Sequence, residues 1–108
     1  MGGFMQPQGH LQVAMNLIDF QMSPQNALDA PRFCWSSGRR FDMEAHYPPG
    51  TVEALRSLGH EITVQDAFSG CYNDRPFGRG QIILFADEAR QVLVGGTDGR
   101  GDGCILGI

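Results

Sequence analysis

Two adjacent glycines, Gly2 and Gly3, stand just behind Met1 and run into Phe4-Met5-Gln6-Pro7-Gln8. Glycine has no Cβ, so its amide can approach a ligand closely. Paired backbone N–H groups can hold the negative charge that develops on an acyl carbonyl oxygen. The chemistry such a pair offers is electrostatic, an oxyanion hole, and it needs a nucleophile. Ser23, Ser36, Ser37, Ser57 and Ser69 fall at a helix cap, a turn, a helix face and loops, and none stands in an elbow sequence. The plainer reading competes: Met1 to Gln8 as a flexible leader, since chain ends order poorly.

Composition removes other chemistries. All eight basic residues are arginine, so a lysine Schiff base, a lysine general base and a P-loop are excluded for this chain. Net charge is −4 with no basic cluster, which argues against nucleic acid as a partner. His10, His46 and His60 pair neither with one another nor with cysteines at metal-ligand spacing, so no metal site is expected. Cys34, Cys71 and Cys104 match neither a disulfide framework nor a C-x-x-C site and are read as small buried apolar residues. Asp98 and Asp102 lie among glycines as in a calcium loop, but Arg100 breaks that pattern. Arg100-Gly101-Asp102 also spells an adhesion tripeptide, too short to use. No cofactor is expected. With 42% hydrophobic and 19% charged residues the chain should bury a core, and its apolar runs fall short of the ~20 residues that span a bilayer. Met1 is followed by neither a charged nor an apolar leader region, so no secretory signal is read.

The elements that must position these residues follow from periodicity. From Leu11 to Met22 apolar residues recur at helical spacing, and only Gln12, Asn16 and Asp19 form a polar stripe, which predicts a helix covered on most sides. Ser23-Pro24 is an N-cap followed by a first-turn proline, and Pro31 closes a two-turn helix. Phe33 to Ser36 and Arg40 to Glu44 read as strands about the turn Ser37-Gly38-Arg39. Thr51 to Leu58 reads as a helix capped by Thr51, with Gly59 in the left-handed position after it, then a strand from Glu61 to Val64. Asp66 to Arg79 reads as a long loop. Gly80 to Ala86 and Gln91 to Gly95 form a hairpin covered on both faces, and Gly96 to Gly103 is a glycine-rich loop.

Several of these residues carry a resemblance. Gly2-Gly3-x-x-Gln6-Pro7-Gln8, Gln12-Val13, Asn16 to Phe20 and Ala27 to Arg32, with the ending Gly95-Gly96-Thr97-Asp98-Gly99-Arg100 and Asp102-Gly103, resemble the C-terminal part of the small subunit of gamma-glutamyltranspeptidases. The resemblance implies that residues 1–108 are a single α/β fragment of an αββα sandwich of the N-terminal-nucleophile hydrolase type. The parent would be a precursor that cuts itself into a large and a small subunit. A threonine at the new N-terminus would attack a gamma-glutamyl amide such as glutathione, and the acyl group would pass to water, an amino acid or a peptide. Gly2 and Gly3 stand where that family's glycine pair supplies the oxyanion hole. The threonine and the groups that hold the substrate lie upstream, so the chain is expected to be inactive alone, with the large subunit and the rest of the small subunit as partners. The Gln-Pro-Gln segment looks closer to acylase-like branches, which leaves the substrate open. Asp98 and Arg100 are expected to pair with upstream residues of the missing half, and the polar stripe and the Asp29 to Arg32 corner to be structural. The alternative is a truncated, non-catalytic relative that acts as an interaction module or homodimer.

Overall fold

Ser23 ends one helical segment and begins another. Its backbone is extended (φ −62°, ψ 156°), its Oγ accepts a hydrogen bond from Asn26 N, and Pro24 fills the first helical position where no amide is needed. The computed structural model describes residues 3–66, 76–87, 89 and 91–107. The element order is α1 (Met5–Ile18), α2 (Pro24–Asp29), β1 (Phe33–Ser37), β2 (Arg40–Glu44), α3 (Pro49–Ser57), β3 (Glu61–Gln65), β4 (Gln81–Phe85) and β5 (Leu93–Thr97).

The strands form two sheets. β1 pairs antiparallel with β2, and β2 pairs parallel with β3 through the α3 crossover. β4 and β5 form a separate antiparallel hairpin, in which Ile83 lies opposite Gly95 and Phe85 opposite Leu93. Glycines occur where the backbone turns left-handed: Gly38 (φ 52°) between β1 and β2, and Gly59 (φ 92°) after α3. Met5, Cys34 and Phe77 make a small buried cluster joining α1, β1 and the segment before β4.

Three expectations shift. α1 starts at Met5, inside the stretch read as a leader, and ends at Ile18 rather than Met22. A proline in the first turn costs no helical hydrogen bond, so Pro7 is compatible with that start. Gln21, at φ 52°, turns the chain before α2. α3 begins at Pro49 with Pro48 as its N-cap, so the proline pair and not Thr51 sets its start. β5 runs Leu93 to Thr97, so Gly96 and Thr97 belong to the hairpin and not to the loop after it.

Burial also departs from the expectation. Leu11 (61% exposed) and Ile18 (69%) show that this chain does not cover α1 on most sides. The hairpin is likewise bare on one face, with Ile83 70% exposed. Cys34 is buried as expected, Cys104 is exposed, and Cys71 lies outside the described residues. No helix among the described residues is long and apolar enough to cross a membrane.

Candidate functional site

Gly2 lies outside the described residues, so the doublet is represented by Gly3. Gly3 sits at φ 77°, a conformation that side-chain-bearing residues avoid. It is exposed, and nothing stands within 4 Å of where a Cβ would be. Its carbonyl accepts from Gln6 N at 3.1 Å, which closes the first turn of α1. The glycine thus ends directly on a helix start, where the first backbone amides lack intrahelical partners and the helix dipole favours negative charge.

That helix start is fastened to the edge of β1. The Phe4 and Trp35 rings lie 5.8 Å apart, and the Trp35 indole N–H donates to Gly38 O at 3.0 Å. Gln8 and Gln12, one turn apart, both reach β1. Trp35 N donates to Gln8 Oε1 at 2.8 Å, and Gln8 Nε2 donates to Trp35 O at 3.1 Å. Phe33 N donates to Gln12 Oε1 at 3.0 Å, and Gln12 Nε2 donates to Phe33 O at 2.9 Å. Further along the helix, Asn16 Nδ2 donates to Ala27 O at 3.3 Å and ties α1 to α2. Gln12 and Asn16 therefore anchor neighbouring segments; Asp19 is the helix C-cap, is exposed, and contributes its backbone N–H to Met15 O.

The second constellation is a buried ionic network. Arg32, Glu44, Asp98 and Arg100 are each at most 3% exposed. Arg100 lays its Nε and Nη2 against the two oxygens of Glu44, in the fork geometry that suits guanidinium to carboxylate. Its remaining donors reach Leu28 O at 2.7 Å, Ala30 O at 3.0 Å and Asp98 Oδ1 at 3.1 Å. Arg32 Nη2 pairs with Asp98 Oδ2 at 2.8 Å. The same oxygen accepts Gly80 N, and Glu44 Oε2 accepts Arg32 N at 2.7 Å. Two cations face two anions, so the network is charge-balanced, although Arg32 Nε has no hydrogen-bond partner.

The network corrects the expectation that Asp98 and Arg100 pair with residues of a missing upstream half, because their partners are Arg32, Glu44 and the α2 end of this same chain. Burial raises the Asp98 carboxyl, but the Arg100 amide and the two guanidinium charges outweigh it and hold the group below the usual carboxylate range. Burial lowers Arg100, and Glu44 followed by Asp98 more than offsets it, so Arg100 is held more firmly charged. Arg32 moves the other way, lowered by burial and by the like charge of Arg100. In the sequence Glu44 is legible only as part of a strand. A charged residue at the end of the strand Arg40–Glu44 cannot be told by sequence from an exposed strand end.

Among the described residues no group of histidine, cysteine, aspartate or glutamate is arranged to hold a metal ion. The arrangement offers backbone at a helix start, held in place by side-chain clamps, and a separate ionic lock that ties the chain's last segment to its first half.

Comparison with known proteins gives this arrangement its context. A family model described as Gamma-glutamyltranspeptidase matches residues 1–108. The crystal structure of a cephalosporin acylase from Bacillus halodurans is 48% identical and superposes with a TM-score of 0.84 over 98% of this chain and 18% of that one. A glutathione hydrolase-like YwrD proenzyme of Bacillus subtilis is 30% identical over 99% of this chain and 20% of its own length. An acylase ACY 1 proenzyme of a Pseudomonas species is 36% identical over 91% of this chain and 16% of its own length. The chain spans about a fifth of the length of these relatives. Its mixed α/β architecture matches a part of their N-terminal-nucleophile hydrolase fold.

Proposed function

The chain belongs to the gamma-glutamyltranspeptidase family, and from that premise we propose that it is a structural and oxyanion-stabilising part of a larger acyl-transfer enzyme. In this reading a nucleophile outside residues 1–108 adds to the carbonyl carbon of an acyl amide. The oxygen becomes an anion, and the Gly2 and Gly3 amides hold it. The C–N bond then breaks, the amine leaves with a proton, and water or a second amine takes the acyl group from the nucleophile. The substrate class is a gamma-glutamyl amide or a related side-chain acyl amide. The acylases at 36% and 48% identity favour weighing both.

The observation that carries the reading is Gly3 itself: left-handed, uncovered, and joined to a helix that is clamped to a sheet. An alkoxide gains from donors that need no reorganisation when it forms, and a clamped helix start provides that.

The test is expression of the full-length protein that carries this chain, assayed for release of a chromogenic amine from gamma-glutamyl and glutaryl amides. Turnover of either is expected. Gly3→Ala has room for its methyl but cannot keep φ 77° without strain. It keeps the amide but strains the turn that aims it by about 1–2 kcal/mol, so kcat should fall roughly 10-fold. No turnover of any amide by correctly processed protein removes the enzymatic reading, and an unimpaired Gly3→Ala enzyme removes the oxyanion role.

A further inference from the structure

β1 is an edge strand. One side pairs with β2, and on the other Phe33 and Trp35 present their N–H and C=O groups to α1. Such an edge normally attracts another strand. Here two carboxamides take the place of that strand. Four residues of helix rise about 6 Å, and two residues of strand advance about 6.6 Å. Glutamines four apart on α1 therefore meet strand residues two apart on β1. Only a carboxamide both donates and accepts in the manner of a peptide group: glutamate would satisfy the amide alone, lysine the carbonyl alone.

The two rungs are not equivalent. Gln12 meets Phe33 well inside the helix. Gln8 meets Trp35, and the Trp35 ring stacks near Phe4, the residue directly after Gly3. Gln8, Trp35 and Phe4 thus close a loop of contacts around the first turn of α1, and Gly3 leads into it.

The geometry points to Gln8 as a positioning residue for acyl transfer: acting through Trp35, it sets where the Gly3 amide stands. This rests on the oxyanion reading given above. Gln8 does not touch the substrate. Its contribution is realised in the transition state, when the donor must already be in place, so its loss should appear in kcat and not in KM.

The experiment compares Gln8→Leu, Gln12→Leu and Gln8→Glu in the full-length enzyme, with rates expressed per mole of processed protein. Gln8→Leu should lower kcat by about 10- to 100-fold, the scale of a small misplacement of catalytic groups, with KM within about threefold of wild type. Gln12→Leu removes the equivalent pair of bonds one turn further from Gly3, together with the bond its Nε2 donates to Gln8 O, and should lower kcat less. Gln8→Glu keeps the bond from Trp35 N and should fall between wild type and Gln8→Leu.

Wild-type kcat in Gln8→Leu alongside an impaired Gly3→Ala enzyme overturns the role of Gln8 and leaves the oxyanion reading standing. An unimpaired Gly3→Ala enzyme instead removes the premise. Equal losses of kcat in the Gln8 and Gln12 variants, tracking equal losses of thermal stability, would make both clamps merely structural. If Gln8→Leu yields no soluble enzyme, Gln8→Glu decides on the same criterion.

Discussion

Arg100 spends all five of its guanidinium donors inside the protein, on two carboxylates and two carbonyls, and is 3% exposed. Removing one member of a buried charge pair leaves the other desolvated and alone, at a cost of about 3–5 kcal/mol. Arg100→Met should therefore destabilise the chain by that amount through stranded Glu44, measured as a lower midpoint of urea unfolding. Replacing the whole network by apolar residues of similar volume should cost far less, since the penalty comes from imbalance and not from lost attraction. Asp98 adds a pH dependence whose sign is fixed. Its folded-state pKa is depressed, so its stabilisation is complete above the unfolded value of about 3.9 and is lost as pH falls through the lower folded value. Wild type should lose stability on acidification below about pH 4, and Asp98→Asn should start less stable and show a shallower slope there. Urea midpoints between pH 3 and 6 decide; parallel slopes would show that Asp98 does not carry the dependence. None of this was legible from the residues around Arg100. In sequence it sits in a glycine-rich loop, and its partners lie 56 and 72 residues away.

Helices in this chain attach to strands chiefly through glutamine. Besides the two clamps of α1, Gln25 of α2 donates to Thr97 O at 2.9 Å and accepts from Thr97 N at 3.1 Å, which fixes the end of β5. α2 and β5 approach so closely that a Cβ on Gly96 would stand 2.8 Å from the Pro24 carbonyl carbon and 2.9 Å from its oxygen. Backbone cannot yield as a flexible side chain does. Gly96→Ala should thus cost about 1–3 kcal/mol as an overpacked contact. Gly50 is the opposite case: it lies in α3 with nothing within 4 Å of a built Cβ, so Gly50→Ala should stabilise by about 0.5–1 kcal/mol. Thermal unfolding of the two variants side by side checks both signs. Local chemistry made part of this layout readable. Ser23-Pro24, Gly38 and Gly59 sit where caps and left-handed turns require them, and the strands about Gly38 fall at or within one residue of their expected bounds. The α1 start was not readable, because Gln-Pro-Gln-Gly has weak intrinsic helix preference and is helical here through tertiary clamps. The sequence ends the second hairpin strand at Gly95 because Gly96 and the residues after it look like loop; Gly96 is glycine because the α2 start presses on it.

The molecule exposes more surface than a chain of its mass should. Its accessible area is 7294 Å², whereas a folded monomer of 11.8 kDa exposes about 5,900 Å². Exposed apolar side chains gather on two faces. On the hairpin, Ile83, Phe85 and Leu93 share the side away from α2, and they are 70%, 53% and 57% exposed. On α1, Leu11 and Ile18 are as bare, and a cavity of about 350 Å³ separates the Val13 and Leu17 side of that helix from Ile82 of β4. The unjoined sheets and this gap have the form of layers awaiting a third element, as fits a chain spanning about a fifth of its relatives' length. At ~25 cal/mol per Å² such faces do not remain hydrated when a partner surface is within reach. The 108-residue chain by itself should self-associate, giving a light-scattering mass above 11.8 kDa that rises with concentration. Ile83→Glu paired with Phe85→Lys should return it toward the monomer without changing its far-ultraviolet circular dichroism, since neither side chain is buried in the chain itself. The same pair of substitutions in the full-length protein should behave in the opposite way and lower the yield of folded protein if the hairpin face is covered there. A wild-type chain that stays monomeric at high concentration, with the doubly charged variant folding normally at full length, would show that the hairpin face is a solvated surface.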